Sequence, residues 1–82
     1  MLKGIIVGNI VSTRKQESLT GSKFMEVEII KNNQRTGEFL VTVDSVGAGI
    51  GETVLITTGS AARLALANQN TPCDAVIVGI VD

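Results

Sequence analysis

The run AVIVGIV, Ala75–Val81, has no polar face. Successive side chains of a strand point to opposite sides, so such a strand needs cover on both. The opening stretch LKGIIVGNIV makes the same demand, because Ile5 and Val7 point opposite to Ile6 and Ile10. In a small barrel one face fills the interior and the other meets water. A chain of 82 residues forms one domain, 1–82, and buries only a modest share of its surface. It has one cysteine, Cys73, and no histidine, so neither an internal disulfide nor a histidine-based metal site can staple it. Oligomerisation is the remaining support. The outer faces of the first and last strands, with Ile5, Val7, Val76 and Val78, are therefore candidate subunit contacts.

Between these runs the chain reads as more short strands. Leu2 to Thr13 is strand 1, followed by a polar loop to Gly21. KFMEVEIIK, Lys23 to Lys31, alternates: Met25, Val27 and Ile29 face one way, Glu26 and Glu28 the other. NNQRTG, Asn32 to Gly37, is composed of turn residues. EFLVTVD, Glu38 to Asp44, is strand 3, with Phe39, Val41 and Val43 on one face and Phe39 assigned to the core. TVLITT, Thr53 to Thr58, is strand 4. Gly59 then breaks the pattern, and Ser60 stands where the N-cap of a short helix, Ala61 to Ala67, belongs. Pro72 stops that helix ahead of strand 5. The expected fold is all-β: a small five-stranded barrel with one short helix between strands 4 and 5.

VDSVGAGIGETVLITTGSAAR, Val43 to Arg63, holds alternating glycines at Gly47, Gly49 and Gly51. A dinucleotide fingerprint would need two residues before its last glycine and a helix after it. Here the spacing is one, and a β-branched strand follows. Glycine instead permits positive φ and close backbone approach. Gly49 is expected to need one of these, and Val46, Gly47, Ala48 and Gly49 join the candidate subunit contacts. The GSAA turn could attract an anion at a helix start, but a plain serine cap accounts for it. Arg63 sits in the first helical turn, against the helix dipole. Ser60 and Arg63 are thus candidate contacts to a partner.

No catalytic residues, cofactor site or metal site emerge. Asp44, Glu52 and Asp74 lie near loops without a histidine or an activated nucleophile, and Cys73 has no base beside it. The 7 basic and 8 acidic residues leave no electrostatic footprint for nucleic acid or an anionic membrane. A single-stranded nucleic-acid binding barrel is the alternative reading, weakened by an aromatic content of two phenylalanines. No apolar run reaches the ~18 residues of a spanning helix. Arg14 and Lys15 follow the first apolar run where a signal peptide would have its cleavage site, so an intracellular protein is expected.

GIIVGNIVSTRK, VDSVGAGIGETVLITTGSAAR and PCDAVIVGIVD together resemble the EutN/CcmL family of bacterial microcompartment vertex proteins. The resemblance implies an OB-like five-stranded barrel that assembles as a pentamer, with a hexamer as the alternative ring. It implies a structural role in the bacterial cytoplasm, at the vertices of a polyhedral shell whose facets are hexameric shell proteins. Many relatives continue past the IVD at which this sequence stops, and the segment between strands 2 and 3 is short. Both features lean the expectation toward a catabolic compartment over a carboxysome.

Overall fold

A computed structural model describes residues 1–10, 23–59, 62 and 75–82. Its five strands are β1 (Leu2–Ile10), β2 (Lys23–Lys31), β3 (Gln34–Asp44), β4 (Thr53–Thr58) and β5 (Ala75–Val81). They close into a barrel in the order β1-β2-β3-β5-β4. Four of the neighbouring pairs are antiparallel. β3 and β5 are parallel and meet only at Val43↔Val76 and Asp44↔Ile77. Because β3 and β4 are not neighbours, residues 45–52 must cross one end of the barrel. That crossing gives the fold its OB-like, Greek-key character.

The period-two alternation read in β2 holds. Met25, Val27 and Ile29 point inward and form the core with Ile6, Val54, Ile56, Ala75 and Ile77. A second, smaller cluster lies outside the barrel, where Ala62 packs with Val43 and Val76, and Phe24 and Val78 lean against them. Ala62 is helical, and its N–H donates to the Gly59 carbonyl at 3.1 Å. The rest of the expected helix, with Ser60 and Arg63, lies outside the described residues, as do Cys73 and the end of the expected first strand.

Strand 3 differs from its reading in two ways. It begins at Gln34, so the turn before it contracts to Asn32 and Asn33, with φ of 53° and 61°. Two successive positive φ values belong to the tight hairpin turn that matches strand twist, and asparagine tolerates them. Phe39 is also not in the core: it is 56% exposed. Residues directly opposite in a sheet share a face. Leu40 pairs with Val27 and Thr42 with Met25, so Leu40 and Thr42 point inward. Phe39, Val41 and Val43 take the outer face, where only Val43 is buried, by the second cluster.

Gly4 shows how tightly the barrel closes. It faces inward on β1 between Ile29 of β2 and Val54 of β4. A Cβ there would overlap Val27 Cγ1 and stand 2.9 Å from the Glu28 carbonyl oxygen. Neither neighbour has room to retreat, since Val27 is fully buried and the carbonyl belongs to a paired strand. Gly4→Ala is expected to lower unfolding free energy by about 1–3 kcal/mol through overpacking. Chemical denaturation would measure it, and an unchanged midpoint would show that the barrel can expand at this point.

Candidate assembly surfaces

The glycine-rich crossing is held by its own carboxylates. Asp44 Oδ1 accepts the N–H groups of Val46 at 2.9 Å and Gly47 at 3.1 Å. Glu52 Oε1 accepts the Gly49 N–H at 2.6 Å, and the Glu52 N–H returns to the Gly49 carbonyl at 3.1 Å. Two bonds then tie the crossing to β1: Gly51 N–H to the Ile6 carbonyl at 2.9 Å, and Ile6 N–H to the Glu52 carbonyl at 3.0 Å. Between these anchors Ala48 turns inward and joins the barrel core at 1% exposure. The amides of Val46, Gly47, Gly49, Gly51 and Glu52 are therefore engaged within the chain rather than pooled around an anion. Asp44 and Glu52, carboxylates for which the sequence offers no catalytic partner, are the residues that shape the loop.

The glycines serve that path unequally. Gly47 and Gly51 have φ of 80° and 90°. Gly49 does not have positive φ, and a Cβ on it would meet only Glu52 Oε1 at 3.5 Å, an ordinary contact. The expectation that Gly49 needs glycine for its own subunit's backbone is therefore corrected: the requirement falls on its neighbours two residues to either side.

The candidate subunit contacts separate into two groups. Ile5 and Val7 are half-buried on the outer side of β1, and Val46 and Gly47 are exposed in the crossing, with Gly49 half-buried beside them. Ala48 and Val76 are withdrawn into the subunit, Ala48 in the barrel core and Val76 in the outer cluster at 0% exposure. Val78 is partly covered by that cluster too. The reason is that Ala62 lies over the outer face of β3 and β5, supplying cover that a neighbour was expected to give. Ser60 and Arg63 lie outside the described residues.

Sequence reasoning missed Glu28. Alternation put it on the solvent face, yet it is 7% exposed. Between Glu28↔Phe39 and Ile30↔Arg35 the register slips, so β3 spends extra residues against β2, and Gly37 adopts φ of 77°. The Glu28 carboxylate fills that bulge. Arg35 Nε donates to Oε1 at 2.6 Å and the Gly37 N–H to Oε2 at 3.0 Å. Thr36 completes the lock, donating its hydroxyl to the Ile29 carbonyl at 2.7 Å and accepting the Glu38 N–H at 3.2 Å. No local sequence signal marks this arrangement, because Arg35 and Gly37 read as ordinary turn residues.

Phe39 now stands on the surface, where an aromatic could stack on a base. The residue opposite Val41 on β2 is the half-buried Glu26, an acidic neighbour of the wrong sign for a phosphate backbone. Among the described residues no group of His, Cys, Asp and Glu could hold a metal ion. No helix among them is long and apolar enough to cross a membrane.

Two outcomes follow. Gly51→Ala is expected to cost about 1–3 kcal/mol of subunit stability, the penalty for a side chain at positive φ, while Gly49→Ala leaves it unchanged. Equal denaturation midpoints for the two variants would contradict this division. Fluorescence anisotropy with single-stranded DNA at low salt is expected to show no salt-sensitive binding, and a tight, salt-dependent isotherm would restore the nucleic-acid reading.

The family described as ethanolamine utilisation protein EutN/carboxysome matches residues 1–82. The bacterial microcompartment shell vertex protein GrpN of Rhodospirillum rubrum is 42% identical, over 100% of this chain and 93% of its own. The carboxysome shell vertex protein CcmL of Gloeobacter violaceus is 40% identical, over 96% of this chain and 80% of its own. In solved structures, Gloeobacter violaceus CcmL superposes with a TM-score of 0.95, at 40% identity, covering 100% of this chain and 86% of that one. The Rhodospirillum rubrum GrpN structure, described as a pentameric microcompartment shell protein, gives 0.91 at 42% identity, covering 100% and 94%. With its closed five-stranded barrel and its full-length match, this chain belongs to the EutN/CcmL family.

Proposed function

We propose that this chain is a non-enzymatic shell subunit, five copies of which form a ring at a vertex of a bacterial microcompartment in the cytoplasm. The observation that carries the reading is the likeness, over the whole chain, to a pentameric shell protein at 42% identity. The physical role follows from geometry. Hexagonal tiles alone make a flat sheet, and fivefold units supply the curvature that closes it. A subunit that closes a shell needs a rigid body and matched edges, and the barrel with its clamped crossing provides the rigid body.

The finer proposal is a catabolic compartment rather than a carboxysome. Relatives of both kinds match to a similar degree, GrpN at 42%, the Salmonella typhimurium EutN at 39% and Gloeobacter violaceus CcmL at 40%. Identity therefore does not separate them, and the proposal rests on the two-residue Asn32–Asn33 connection between β2 and β3. Ser60 and Arg63 are proposed as the contacts to the neighbouring hexameric shell protein. Arginine's planar fork suits carbonyls or carboxylates of a partner, and its place against a helix dipole gives it no local benefit.

Co-expression with hexameric shell proteins of each compartment type tests these readings. Closed polyhedra under the electron microscope are expected with the catabolic hexamers, and open tubes or sheets when this chain is left out. Closure without it would refute the vertex role, and closure only with carboxysome hexamers would reverse the finer proposal. Arg63→Ala is expected to form rings of normal mass that enter shells poorly. Normal incorporation would remove Arg63 from the shell contact.

A further inference from the structure

We infer that the outer face of β3 around Phe39 and Val41, with the open sheet edge beside it, is where a second copy of this chain seats in the ring. The inference rests on the ring reading above. Phe39 is 56% and Val41 51% exposed, and the two stand next but one on the same side of the strand. Val43 continues their row, but Ala62, Val76 and Phe24 cover it within the subunit. The chain thus shields one end of an apolar row and leaves the other end bare.

The backbone beside that bare end is also unfinished. β2 pairs with β3 from Gln34 to Asp44, whereas β5 pairs only with Val43 and Asp44. On the β5 side, residues 34–42 therefore have no strand against them among the described residues. An open edge flanked by apolar side chains is a template for another chain. A second open edge lies on β1. β4 pairs only with Leu2–Ile5, the crossing takes both backbone groups of Ile6, and from Val7 onward the side away from β2 has no strand among the described residues. Val7 is half-buried beside it. A closed ring of identical subunits needs two different patches that mate head to tail. Among the described residues β3 and β1 offer two different open edges on one subunit, which is the arrangement a head-to-tail ring of copies requires and a two-fold dimer does not.

Glu28 holds the β3 face in place. Its carboxylate fixes the bulge at Arg35 and Gly37, directly before the segment that presents Phe39. It is opposite Phe39 on β2, so the outward setting of that ring and the buried carboxylate are parts of one local structure.

Light scattering and circular dichroism of Phe39→Asp and Val41→Asp test the inference. Both positions are exposed, so the expected result is a folded chain whose mass falls about fivefold, from ring to monomer. Intact rings in both variants would overturn it. A wild-type chain that is monomeric at micromolar concentration would instead overturn the ring reading itself, before either variant is made. If the variants do not fold, hydrogen exchange of the wild type decides. Amides in residues 38–42 that β2 does not bond are expected to exchange slowly in the ring and quickly when dilution dissociates it. Equal exchange in the two states would place the neighbour elsewhere.

Discussion

The barrel depends on how the chain passes from β3 to β4. Those strands are not neighbours, so the link must cross the barrel end and still deliver β4 in register with β1. Asp44 starts the crossing by collecting two loop amides, and Glu52 finishes it by gripping Gly49. The paired bonds between Ile6 and residues 51 and 52 extend the β1–β4 ladder into the loop. Ala48 then joins the core from the crossing, fully buried, where a longer side chain would have to displace core neighbours. The apparent phosphate motif is a device for turning a backbone twice in a short distance, with Gly47 and Gly51 as the two turning points.

That device also explains which parts of the fold were legible. Strand positions followed from β-branched runs and breaks, and β2 displayed its inward face through strict alternation. The phase of β3 was misread because its outer face is the more apolar one. Cross-strand parity held the correction. A hairpin turn with an even number of residues pairs odd positions with even ones, so in a regular ladder Val27 meets an even-numbered partner whether the turn has two residues or six, and the slip at Glu28 keeps that parity because it spans two residues. Leu40 and Thr42 could therefore have been assigned inward, leaving Phe39 outside. Which glycine carries positive φ was not legible, because the answer depends on anchors at Ile6, Asp44 and Glu52 that are distant in the chain or act through side chains. The bulge around Glu28 was equally hidden, since it exists only once β2 and β3 are paired.

The need of β5 for cover on its outer face was legible for a related reason. Apolar residues on both faces of β5 correctly signalled that its outer side needs cover. The sequence does not say whether that cover comes from the same chain or from a neighbour. For Val76 it comes from Ala62. On β3, by contrast, Phe39 and Val41 of the outer face stay exposed.

A small barrel gains from this distribution of apolar surface. With no disulfide and an interior limited to one layer of side chains, an isolated subunit has little margin against unfolding. Apolar area that is left open in the subunit and buried in a ring adds stability only when the ring forms. Folding and assembly are coupled in such a subunit, and a lone copy is less stable than one in a ring. An edge like that of residues 34–42 of β3, which has no strand on its β5 side among the described residues, is a hazard in a lone subunit and a specific contact once a neighbour covers it. The buried carboxylate of Glu28 sits at the boundary between these roles. It satisfies the backbone of the bulge from within, and leaves the apolar side chains beside it facing outward.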